Sequence, residues 1–74
     1  MKLTPEFRDR LNKLIEMRKL TDEQCLKIFG ISAKALYNAR KYGKYPTPKV
    51  IAKMVEFFCV SQDYLLGLTN KQEK

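Results

Sequence analysis

Apolar residues recur three and four positions apart along most of this chain, and nowhere do they alternate as a half-buried strand requires. Phe7, Leu11, Leu14 and Ile15, with Arg18 in the next turn, predict a first helix over about residues 5–18. Thr4 followed by Pro5 reads as an N-cap with proline at the first helical position. After a short break, Thr21 is placed to cap a second helix over about 22–29, and Gln24 is spaced to reach back and complete a capping box. That helix buries Cys25, Leu26 and Phe29, and Gly30 is placed to end it in the left-handed conformation.

Ser32 is the next cap, two residues beyond Gly30, and opens a third helix over about 33–41. Ala35, Leu36 and Ala39 fall on one side of it. Ala33, Lys34, Tyr37, Asn38 and Lys41 fall on the other. Residues 42–48, "YGKYPTP", read as a loop in which Thr47 and Pro48 repeat the cap-then-proline signal. A fourth helix over about 48–58 buries Ile51, Met54, Val55 and Phe58, and Ser61 caps a last short helix over about 62–66 that Gly67 ends. Val60 and Leu65 read as core. The expected fold class is all-α, a compact five-helix bundle. Its second and third helices, joined across "FGIS", have the helix–turn–helix pattern of a short helix, a glycine-containing turn and a steeply crossing helix.

Composition sharpens this reading. Seventy-four residues suit one domain with a small core, expected over residues 1–68 with a polar tail at 69–74. No apolar run is long enough to cross a bilayer, and "MKLTPEFRDR" lacks the apolar stretch of a secretory leader, so a cytoplasmic location is expected. The chain has no histidine, and Cys25 and Cys59 lie far apart among apolar neighbours, which argues for small buried hydrophobes rather than metal ligands. No metal, cofactor or small-molecule ligand is expected.

The charge is segregated. From Gln24 to Val55 there are seven basic side chains (Lys27, Lys34, Arg40, Lys41, Lys44, Lys49 and Lys53) and no Asp or Glu. The remaining 42 residues hold eight of each sign, so the whole net charge of +7 belongs to the middle of the chain. A field of that kind attracts a polyanion, nucleic acid before an anionic membrane. The basic residues do not line one long amphipathic helix, which disfavours the membrane.

"LTDEQCLKIFGIS", the loop Pro46 and "FFCVSQDYLLGL" resemble the lambda-repressor-like helix–turn–helix domains of phage repressors, Cro proteins and small bacterial regulators. The likeness runs without a gap over about residues 10–68, and "VSQDYLLG" is its most specific piece. It implies a five-helix bundle whose third helix enters the major groove of DNA. Three places depart from the family pattern. Asp22 stands where a phosphate-bonding Gln usually opens the second helix, and Ala39 where an aromatic commonly anchors the third. Ile15 and Arg40 occupy the positions of a frequent Arg–Glu pair. With both halves of that pair replaced, no charge is left stranded.

On this resemblance the candidate base contacts are Ala33, Lys34, Tyr37 and Asn38, since Lys can donate to guanine and Asn can bond adenine bidentately. The alternative is that they are a solvated polar face. Candidate phosphate contacts are Ser32 with the free N–H groups behind it, Lys41, Lys44, Tyr45, Lys49, and Arg40 released from its usual partner. Neutralising about five phosphates implies a log–log salt slope near −4 to −5. Lys27 and Lys53 fit solubility equally well. Tyr64, Leu66 and Leu68 are candidates for a twofold dimer interface, or else pack under the first helix; a homodimer would read a palindromic operator.

The expected function is sequence-specific binding of double-stranded DNA by a transcriptional regulator, a repressor of phage or bacterial type controlled by its own concentration or a partner chain. The competing reading is a protein-interaction module that keeps the fold without the DNA site, for which Asp22, Ala39, Arg40 and an exposed Ile28 are the evidence. An enzyme is not expected: there is no histidine, the serines serve as caps and no glycine-rich phosphate loop is present.

Overall fold

The computed structural model describes residues 5–69, and these form five helices and no strand: α1 (Pro5–Met17), α2 (Asp22–Phe29), α3 (Ala33–Tyr42), α4 (Pro48–Phe58) and α5 (Gln62–Leu65). The expected Thr4 cap and the tail beyond residue 69 lie outside the described residues. α1 packs on α3 and α5, α2 on α3 and α4, and α4 on α5. The stripes meet in one core: Phe7, Leu11 and Ile15 of α1, Cys25 and Phe29 of α2, Leu36 and Ala39 of α3, and Met54 and Phe58 of α4 are all buried. Val60 and Leu65 close it as expected. Leu14, Leu26 and Val55 pack against its margin, half-buried.

The starts of α2 to α5 follow from local chemistry. Thr21 Oγ1 accepts from the Gln24 N–H at 3.1 Å while Gln24 Oε1 accepts from the Thr21 N–H at 2.9 Å, a complete capping box. Ser32 Oγ accepts from the Ala35 N–H at 3.1 Å, and Ser61 Oγ from the Tyr64 N–H at 3.0 Å. Thr47 departs from expectation. Its backbone has cap geometry, but its hydroxyl makes no capping bond, and proline at N1 starts α4 instead.

The ends are more varied than the glycines suggest. Gly30 ends α2 at φ 64°, and Gly43 lets α3 run one residue further than expected before turning at φ 74°. α1 and α4 end in Schellman motifs built on ordinary residues. Leu20 N–H bonds Ile15 O, and Val60 N–H bonds Val55 O, across Lys19 (φ 54°) and Cys59 (φ 57°). This corrects the expectation for Cys59. The left-handed turn puts its side chain at the surface, where it is exposed, with Sγ 3.7 Å from the Glu56 carbonyl. Cys25 is buried as expected, and burial pushes its thiol pKa up, opposed by Arg40 and reinforced by Asp22.

Candidate nucleic-acid interface

α3 is gripped from behind and open in front. Leu36 and Ala39 are in the core and Ala35 is half-buried beside them. On the other side Ala33, Lys34, Tyr37 and Lys41 are exposed and Asn38 is half-buried, so the five residues expected on the outer face do share it, uncovered by the described chain. Ser32 is exposed too, but its hydroxyl is taken by the cap. What it leaves for an anion is the first-turn N–H groups that have no helical partner.

The first turns differ in charge. α1 carries Glu6 there, α2 carries Asp22 and Glu23, and α5 carries Asp63, each complementing the positive end of its helix dipole. α3 and α4 hold no acid in the first turn, and place Lys34 and Lys49 in it instead. Positive side chains at a positive helix end are unfavourable in isolation and favourable when an anion is shared between them.

Arg40 corrects its expected role. Its Nε donates to Asn12 Oδ1 at 2.7 Å, its Nη1 donates to Asp22 Oδ1 in an ion pair, and its backbone carbonyl accepts from Asn12 Nδ2 at 2.9 Å. It is therefore not a released cation. It ties α1, α2 and α3 together, and it neutralises the carboxylate that would have repelled a phosphate at the start of α2. Asn12, a polar residue next to Leu11 on the inner stripe of α1, was not a candidate; its position beside the core was the available signal.

An open cleft of about 510 Å³ lies where α1, α2 and α3 meet. Glu16 and Asp22 face Arg40 and Lys41 around it, with Leu26 and Leu36 supplying apolar wall. Asp22 already holds Arg40 and Glu16 adds a second acid to the wall, so the cleft favours no anion; Ala33, Tyr37 and Lys41 line it as well as the outer face of α3. Any phosphates engaged must lie on the outer face and the flanking loop.

Tyr45 is also committed elsewhere. Its hydroxyl donates to the Leu66 carbonyl at 2.8 Å and its ring stands edge-on to Phe7 at 5.0 Å, pinning the α3–α4 loop to α1 and α5. The expected phosphate role for its hydroxyl gives way to that bond. Lys44 is half-buried, and Lys49 is exposed. Lys53 has its ammonium 3.3 Å from where a Cβ on Gly30 would sit, against the carbonyl end of α2, where a cation offsets the helix dipole.

No family model, curated protein or solved structure matches this chain. The geometry therefore carries the functional reading alone.

Among the expected dimer residues, Tyr64 is corrected. It is only 7% exposed, with the Arg10 guanidinium 4.4 Å from its ring centroid and Arg10 Nη1 donating to its carbonyl at 2.6 Å. Arg10 also donates to the Thr69 carbonyl, so the first residue of the supposed tail is held to α1. Leu66 is half-buried and Leu68 is 70% exposed. Two further features fall outside the expected set. Tyr42, half exposed at the end of α3, meets the Tyr37 ring edge-on at 6.2 Å, and Lys41 Nζ donates to Tyr37 Oη at 2.9 Å.

Proposed function

We propose that this chain is a sequence-specific binder of double-stranded DNA that regulates transcription, with α2 and α3 forming a lambda-repressor-like helix–turn–helix and α3 entering the major groove. The observation that carries this reading is the outer face of α3: exposed, free of acids, and held rigidly by the core and by Arg40. Lys34 and Asn38 lie on it as base readers, Ala33 permits close approach, and Lys44, Lys49 and the first-turn N–H groups of α3 position the backbone. The lysines at the starts of α3 and α4 support it, because a shared anion resolves their conflict with the helix dipoles.

With Arg40 paired and the Tyr45 hydroxyl bonded to Leu66, Lys41, Lys44 and Lys49 are left to neutralise about three phosphates, giving a log–log salt slope near −3 from ~0.9 per contact. A single domain this small covers few base pairs, so a homodimer on a palindromic operator is part of the proposal, with Leu68 and the exposed edge of Leu66 as its contacts. No described helix is long and apolar enough to cross a membrane, and a cytoplasmic regulator without enzymatic activity is the reading we favour.

A second reading, the protein-interaction module, draws support from Ile28, which is 37% exposed on α2, and from the charge-neutral cleft. The double change Lys34→Glu, Asn38→Ala separates the two. It is expected to abolish salt-sensitive retention on duplex DNA at unchanged helix content by circular dichroism. Retention equal to that of the unaltered chain transfers the function to the interaction module.

A further inference from the structure

Lys41 and Tyr37 act as one group. Lys41 Nζ donates to Tyr37 Oη at 2.9 Å and stands 5.3 and 5.5 Å from the ring centroids of Tyr37 and Tyr42, two rings that are themselves edge to face. A phenol has one O–H donor as well as acceptor lone pairs, and an ammonium has three N–H donors and no acceptor. Because Lys41 donates into the phenol oxygen, the phenol hydrogen is directed to another partner, and with the Tyr42 hydroxyl drawing on a second N–H, one N–H bond of Lys41 remains. The outcome is two donor heads side by side, on side chains already ordered by their mutual contacts.

Base edges differ in what they offer such a pair. In the major groove guanine presents two neighbouring acceptors, N7 and O6, while adenine pairs an acceptor with a donor, cytosine presents a donor, and thymine one acceptor beside a methyl group. We infer that Tyr37 and Lys41 together read one guanine in each half-site, doing with two residues what an arginine fork does with one. This rests on the proposed docking of α3 in the major groove. It moves Lys41 from the backbone to the base edge and gives Tyr42 a part, as the ring that holds the ammonium in place.

Two phosphate oxygens would also accept from these donors. Placement favours the base. Tyr37 lies mid-helix on the same face as Ala33, Lys34 and Asn38, whereas Lys44 and Lys49 lie in the loop after α3 and at the start of α4. The hydrogen bond to Tyr37, then the neighbouring Tyr42, raises the Lys41 pKa above its ordinary value, which favours the ammonium form.

The test begins with selection of binding duplexes from a random pool by the unaltered chain. Each guanine of the enriched site is then replaced in turn by 7-deazaguanine, which lacks N7 and leaves every phosphate in place. Affinities are measured for the unaltered chain, Tyr37→Phe and Lys41→Met. At one guanine per half-site, 7-deazaguanine is expected to weaken the unaltered chain about tenfold, within the range of a bidentate base contact. The same replacement should add little in the variant that lacks the N7 donor and less than tenfold in the other, since the paired donors order each other. Thermal unfolding checks that both variants fold; should Lys41→Met fail to, Tyr37→Phe alone completes the comparison. An enriched site without guanine, or losses equal at every base with a salt slope shallower by ~0.9 for Lys41→Met, makes the pair a phosphate contact and overturns the inference while leaving DNA binding intact. No enrichment at all removes both this inference and the proposed function.

Discussion

Arg40 and Lys41 are neighbours in sequence, carry the same charge and sit on the same helix, yet the fold uses them in opposite ways. Arg40 turns inward to Asn12 and Asp22 and joins three helices. Lys41 is exposed, and its contacts are the Tyr37 hydroxyl and the Tyr42 ring of its own helix. Successive residues on a helix are about 100° apart, and that rotation separates a structural cation from one free to meet a ligand. A basic residue counted toward nucleic-acid binding therefore needs its rotation around the helix known as well as its charge.

The contrast can be broken most directly by removing each cation in turn. Arg40→Met is expected to destabilise the fold by about 1–2 kcal/mol, chiefly by taking the guanidinium donor from Asn12 Oδ1 while Nδ2 keeps the residue-40 carbonyl, a loss at the lower end for a hydrogen bond to a charged group. The Asp22 side of the network adds little, because that carboxylate is 70% exposed. For a domain of this size the melting temperature falls by roughly 5–15 °C. Lys41→Met should leave the melting temperature within about 3 °C, as surface changes away from special features do. Equal melting temperatures for the two variants would erase the distinction.

Asp22→Asn sharpens it further. Stability should move by less than about 1 kcal/mol, the usual scale of an exposed pair. Losing the counter-charge, however, returns Arg40 to the field felt by DNA. Duplex affinity should rise and the salt slope steepen by up to ~0.9; an unchanged slope means that Arg40 lies too far from any phosphate to matter.

The smallest effect concerns pH. The buried Cys25 thiol has its pKa raised above 9.0 in the fold, so the stability carried by its neutral form is complete below the unfolded value. It is lost as pH climbs from about 9 through the folded value, because only the unfolded chain can ionise freely there. Denaturant midpoints measured from pH 8 to 11 should fall across that window, and Cys25→Ala should remove the part of the fall that begins near 9. Arg40 opposes the shift, so Arg40→Met should carry the fall to higher pH.

Helix starts were legible because their chemistry is local. Thr21 with Gln24, Ser32 and Ser61 each bond an amide three residues away, and a spacing of three is visible in a string of letters. The core stripes were legible for the same reason, since periodicity names a face without naming its partner. The candidate site divides along the same line. The outer face of α3 follows from its own register. The fates of Arg40, Tyr45 and Tyr64 do not, because each is decided by a partner between 18 and 54 residues away. Cys59 was misplaced for a subtler reason: it ends α4 in a left-handed turn that its composition gives no hint of, since most such positions carry glycine.

By itself, then, the order of residues determined five helices, their apolar faces, the caps that start most of them and the acid-free stretch in the middle of the chain. All of these rest on interactions within one or two helical turns. The tertiary structure alone decided which cations remain available to a polyanion, that the cleft between α1, α2 and α3 is neutral, and that Lys41 is held against Tyr37 with Tyr42 behind it. Charge pairing depends on inverse distance through space, and only packing brings Asn12 and Asp22 within reach of Arg40.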